Sequence, residues 1–348
     1  MADTKTIIET VFQAMVSHRP RLARFLEADD DGEAIDVREL ADQVVKGFPY
    51  PIGVELRRLF SSEHQRPDRG RLDQLFKTIE RTLQFTAFVL FSQLLEDGSA
   101  PADGRVGPLC ERLLKPGGLT MGDFAYFINA LGDCFRDAER VPFMPELAAV
   151  LNKDFYARLN FWTPERNAIG HYLINLDAGE IERRCVEYSE RLAAILADLA
   201  FLVKYPLVSM VEIRVEKTKG SPVRFSHQIK TLSSASSNPS SEALCDTFSD
   251  SHAVLLLKSM KDPPNAFLNL SPLIIDTHQE ELVSREQVET IKKDLFLFSR
   301  RDRDGRLRYV GTTVTEQCDL RHLPCYSRLQ AEFGDYLQAA GLAPAAGG

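Results

Sequence analysis

The sequence predicts an α+β fold, an all-α N-terminal part followed by a mainly antiparallel β part that closes with one helix. Two observations carry this prediction. Up to about residue 205, apolar residues recur every three to four positions, the helical period; after Pro206 they recur every two, the strand period. The change falls at a proline, which cannot continue a helix. With 348 residues, 44% hydrophobic and 26% charged, the chain has the composition of a globular protein with room for about two domains.

The helices follow in order. IIETVFQAM and VELRRLF, within residues 1–65, predict an N-terminal helical extension. In GRLDQLFKTIERTLQFTAFVLFSQLLED the apolar positions Leu72, Leu75, Phe76, Ile79 and Leu83 give way to a dense run through Phe88, Phe91 and Leu95. That pattern describes a core helix that becomes buried nearly all round. DGSAPADGR is a loop by its glycine and proline content. TMGDFAYFINALGDCFRD starts with Thr120 as N-cap and repeats at Phe124, Phe127, Ile128, Leu131 and Phe135. The last helix of this half repeats at Ile181, Cys185, Tyr188, Leu192, Leu196, Leu199 and Val203. Long helices joined by short loops make residues 66–206 a bundle.

Residues 207–340 form the β-rich part. LVSMVEIRVEK and PVRFSHQIK alternate, and HAVLLLK, FLNLSPLIID, KDLFLFS and LRYVGTT are short strand-like runs. DLFLFSRRDRDGRLRYVGT predicts a hairpin with Asp304-Gly305 at its turn. TLSSASSNPSSEAL, with six serines, reads as a mobile loop. A helix from about Ser327 to Ala340 precedes a flexible tail, 341–348.

Charge and cysteine content narrow the function. The net charge is −8, and residues 1–205 hold 25 Lys+Arg against 32 Asp+Glu, so the helical half carries most of the excess acid. A protein that coats nucleic acid non-specifically has the opposite balance, so any RNA contact must use a local patch. No apolar run reaches the ~18–20 residues a membrane span needs. The N-terminus lacks the basic and apolar regions of a signal peptide. Six scattered cysteines fit reduced thiols and a cytoplasmic protein.

Residues 163–171, TPERNAIGH, place Arg166, Asn167 and His171 close together among apolar neighbours. Thr163-Pro164-Glu165 has the form of a helix start: cap, first-position proline, acid in the first turn. Asn167 and His171, four apart, then share a helix face, and the Arg166 side chain can reach over it. Such a set supplies a fixed cation, a polar amide and a titratable imidazole. The alternative is plainer: Arg166 pairs with a nearby acid, and His171 is a satisfied structural histidine.

RNAIGH resembles the R-x4-H signature of HEPN domains, helical bundles of prokaryotic toxins and anti-phage proteins, in which a polar residue follows the arginine. The resemblance covers about 66–206 and leaves the β part unassigned. It implies a metal-independent endoribonuclease, with no cofactor, that leaves 2′,3′-cyclic phosphate and 5′-hydroxyl ends on tRNA or mRNA. Arg166, Asn167 and His171 would be its catalytic residues. It further implies a homodimer that brings two motifs together, and an inhibitory or sensor partner protein. A second reading keeps the bundle and drops the chemistry, leaving a non-catalytic dimerisation or adaptor subunit of a defence or signalling complex.

Two other groups stand out. SRRDRDGRLR, with five arginines against two aspartates, is the best local basic patch, and Arg300, Arg301 and Arg303 are candidate substrate-binding residues. Cys318, His322 and Cys325 offer three ligands where a structural zinc site needs four, so no metal is expected.

Overall fold

The computed structural model describes residues 2–26, 36–96, 104–172, 176–234, 240–278, 293–313, 317–321 and 323–341. It is an α+β protein with helices first, antiparallel sheets in the C-terminal part, and a closing helix. The first half holds α1 (Ala2–His18), α2 (Val37–Gly47), α3 (Tyr50–Phe60), α4 (Arg69–Glu96) and α5 (Val106–Leu113). It continues with α6 (Met121–Asp137), α7 (Glu146–Val150), α8 (Lys153–Tyr172) and α9 (Ala178–Asp198). Strands β1 (Leu207–Glu216), β2 (Arg224–Thr231), β3 (Ser240–Cys245), β4 (Val254–Leu257) and β5 (Phe267–Asn269) form one sheet in the order β3-β2-β1-β4-β5. Strands β6 (Ile274–Asp276), β7 (Leu295–Arg301), β8 (Leu307–Gly311) and β9 (Gln317–Asp319) form an antiparallel meander. Helix α10 (Tyr326–Ala339) ends the described fold.

By packing, the chain divides into two compact units. The first comprises Met1–Phe85, Pro145–Leu207 and Leu232–Asn238; the second comprises Thr86–Met144, Val208–Thr231 and Pro239–Gly348. The end of α4 and helices α5 and α6 therefore pack in the same unit as the strands, although in sequence order they fall within 66–206. The loop before α6 is tied to β7 by the Leu119 amide, which donates to the Ser299 carbonyl at 3.2 Å.

In the first unit α1 packs along α9 and α2, burying Ile7, Val11, Phe12 and Met15 with Leu192 and Leu196. Arg71, only 1% exposed, joins three segments of this unit. Its guanidinium donates to Thr4 Oγ1 at 2.9 Å, the His64 carbonyl at 2.7 Å and Ser189 Oγ at 3.1 Å. Buried arginine is tolerated where its donors find acceptors in this way. Helix α3 approaches α2 at Gly53, where a Cβ would lie 2.5 Å from the Val45 carbonyl oxygen.

In the second unit, Val208, Met210, Ile229, Leu255 and Leu257 form an apolar cluster on one sheet. Strands β4 and β7 are buried along runs of four residues, which explains their unbroken apolar sequence. The hairpin predicted at Asp304-Gly305 is present between β7 and β8: Gly305 takes a φ of +85° and its amide donates to the Asp302 carbonyl at 2.9 Å. One expectation needs correcting. The serine-rich stretch is not all loop, because Ser240–Cys245 is strand β3, in register with β2 from Phe225↔Cys245 to Lys230↔Ser240. The ladder to β2 supplies the backbone partners that serine-rich composition does not advertise.

Candidate functional site

Helix α8 carries the cluster, and it begins earlier than the sequence indicates. Asn152 caps it, its Oδ1 accepting from the amides of Asp154 and Phe155, both at 3.0 Å. Pro164 lies inside the helix rather than at its start. Proline there removes one backbone hydrogen bond and costs about 3 kcal/mol. Against that, Phe155, Leu159 and Trp162 are each fully buried and Ile169 is 3% exposed. At roughly 1.5–3 kcal/mol per large apolar side chain, this continuous face outweighs the proline and carries the helix through it. Thr163-Pro164-Glu165 is thus not a cap; Arg166, Asn167 and His171 stand in the last turns of a 20-residue helix.

The rotation of those turns is held by α9. Glu165 Oε2 accepts from Arg184 Nη1 at 3.0 Å and from the Tyr188 hydroxyl in a short contact. Arg184 also donates through Nε to Glu180 Oε1 at 2.6 Å. Burial pushes the Tyr188 phenol well above its usual range, and the Glu165 carboxylate adds to the shift, so the hydroxyl stays a donor. Behind it, Trp162 meets Phe76, Phe161 and Tyr188 edge-on, with ring centroids 5.6–5.8 Å apart.

Arg166 and Asn167 are both exposed. Arg166 Nη1 lies 3.2 Å from Glu80 Oε1 of α4, with the two side chains 44% and 26% exposed. The backbone at 171 belongs to α8, but the side chain of His171 lies outside the described residues. The cation and the amide therefore share an accessible stretch of one helix, and the imidazole is placed only by its position in the chain.

The basic hairpin is partly neutralised from within. Asp302 takes Arg300 Nε at 2.9 Å and Arg308 Nε at 2.7 Å, and Arg306 pairs closely with Asp304. Hydrogen bonding from Arg308, with the charges of both arginines, holds the Asp302 carboxyl below its ordinary range. Arg303 is exposed and Arg301 half-buried, and neither forms an ion pair among the described residues. Of the cysteine–histidine group, His322 and the side chain of Cys318 lie outside the described residues, and Cys325 is buried.

Glu80 and Arg184 do not stand out in the sequence, and Tyr188 does so only as a core repeat of the last helix. Arg184 and Tyr188 stand four apart on α9 and could have been read as a pair facing α8. Glu80 lies 86 residues before Arg166 and carries no local signal. Comparison of the chain with models of known protein families, with curated proteins and with solved structures found no match.

Proposed function

We propose that this protein is a metal-independent endoribonuclease of the HEPN type, acting as a toxin or anti-phage effector. Its β-rich part senses a trigger or recruits a partner. The observation that carries this reading is the exposure of Arg166 and Asn167 on the last turns of α8, braced through Glu165.

In this reading the 2′-hydroxyl oxygen attacks phosphorus and the bond to the 5′ oxygen breaks. The 2′-hydroxyl loses its proton and the 5′ oxygen gains one; His171 carries the proton at one of these oxygens, and water or the second copy's imidazole carries it at the other. Arg166 holds the phosphate and the charge that builds on its oxygens. Asn167 orients the pair or contacts RNA. Two copies of the motif meet across a homodimer, and Arg301 and Arg303 are available for further phosphate contacts.

The Arg166–Glu80 ion pair favours the second reading, in which α8 is a structural face of a dimerisation or adaptor subunit. One experiment separates the two. Wild type and His171→Ala are incubated with labelled tRNA and mRNA in EDTA. Cleavage by the wild type that survives the chelator and disappears in the variant supports the nuclease. Cleavage unchanged in His171→Ala, or none by a wild type that is dimeric in solution, leaves the adaptor.

A further inference from the structure

A cavity of about 470 Å³ in the second unit is unrelated to α8. The end of α4, the turn before β4, the β5–β6 connection and α10 line it. On its α4 wall, Ser92 is only 4% exposed, and its hydroxyl has no hydrogen-bond partner among the described residues. A buried hydroxyl left unsatisfied destabilises the fold, and a ligand reaching it would relieve that.

The rest of the wall states what that ligand is. Three carboxylates line it: Asp250, Glu332 and Asp335. Asp250 accepts from Asn269 Nδ2 at 2.8 Å, while Glu332 takes the Ser271 hydroxyl and lies 3.3 Å from Arg328 Nε. Asp335 has no hydrogen bond or ion pair among the described residues. One arginine does not balance three acids, so the cavity repels phosphate and attracts cations. The turn is held in place at His252, whose φ is +53°, by its amide on the Met210 carbonyl at 3.0 Å. Arg328 Nη2 donates to the His252 carbonyl at 3.2 Å. A non-glycine residue kept in that conformation by bonds on both sides marks a built site rather than a loose surface turn.

We propose that this cavity binds a linear aliphatic amine, of the diamine or polyamine class. An ammonium group has three donors and no acceptor, matching a wall whose free groups, Asp335 and the Ser92 hydroxyl, both accept. The methylenes lie against Leu95, Pro272 and the Tyr336 ring. Asp250 and Glu332 neutralise the second charge.

Calorimetric titration of putrescine and spermidine into the full chain tests this, with 1,4-butanediol as the uncharged control. One saturable site is expected, with no binding of the diol. Asp335→Asn and Ser92→Ala should each weaken the amine about tenfold, the value of one hydrogen bond to a charged group. Asp133→Asn, which removes an exposed acid paired with Arg136 on α6, should leave the affinity unchanged. Absence of saturable binding overturns the proposal. So does equal affinity in all three variants, which would make the amine a counterion of an acidic chain.

Discussion

Replacing Glu80 by Gln tests whether Arg166 is poised for a phosphate or committed to the fold. The pair is separated by 3.2 Å, with both partners partly in water at 44% and 26% exposure. Two unit charges at that distance attract by about 1.3 kcal/mol in bulk water and by about 5 kcal/mol at an effective dielectric of 20. Desolvation and the entropy of holding two long side chains offset most of this, and exposed pairs measured by double-mutant cycles give about 0.2–1 kcal/mol. Glu80→Gln should therefore lower the stability of the first unit by less than about 1 kcal/mol. On the proposed nuclease reading, the same energy, no longer opposing an incoming anion, should raise RNA affinity at Arg166 by up to about fivefold. The gain should fade as salt screens the pair. The measurements are urea unfolding followed through Trp162, the sole tryptophan, and RNA binding at two ionic strengths. A stability loss above about 2 kcal/mol would refute the reasoning, since it would make Arg166 a structural residue. Unchanged RNA affinity at low salt would refute it from the other side.

Two further outcomes follow from the packing. Asp123 closes the capping box of α6 and takes Arg112 Nε at 2.8 Å and Lys115 Nζ at 2.6 Å. Burial acts to raise its pKa, but the hydrogen bonds from Lys115, Thr120 and Arg112 prevail and lower it to about 2. Its stabilisation is thus present above the ordinary carboxylate value and lost as pH falls toward 2. The melting difference between wild type and Asp123→Asn should shrink by about half between pH 5 and pH 3, and a constant gap would contradict this. Gly53→Ala places a Cβ 2.5 Å from the Val45 carbonyl oxygen and 2.6 Å from Ser234 Oγ. It should destabilise by about 1–3 kcal/mol. Gly179→Ala, in the first turn of α9 with its nearest neighbour 3.4 Å away, should instead stabilise by up to about 1 kcal/mol. Equal effects in the Trp162 unfolding curves would show that the α2–α3 approach does not constrain position 53.

Much of the fold was legible because periodicity records burial. The repeats of α4, α6 and α9 match the residues the core takes up, whereas β1 is buried along its first four residues and exposed along its last three, so its alternation does not follow burial. The β7–β8 hairpin was readable because only glycine adopts a φ of +85° without strain at its turn. Two readings failed for the same physical reason. Local chemistry at Pro164 and at the serines of β3 pointed to a break, and long-range packing or pairing overrode it.

For the candidate site, the sequence by itself determined which groups are present: a guanidinium, an amide and an imidazole within six residues of one helix. It also determined that they lie in the helical half of an α+β chain. Tertiary structure alone decided that the cluster falls at the end of α8 and that α9 braces it through Glu165. It also placed Glu80, 86 residues away, beside Arg166. It decided too that Ser92, on an apolar stretch of α4, lines an acidic cavity. A helix's period is set by bonds between residues four apart, and so is written locally. The partner of a charge is set by which surfaces the chain brings together, and no local pattern records that.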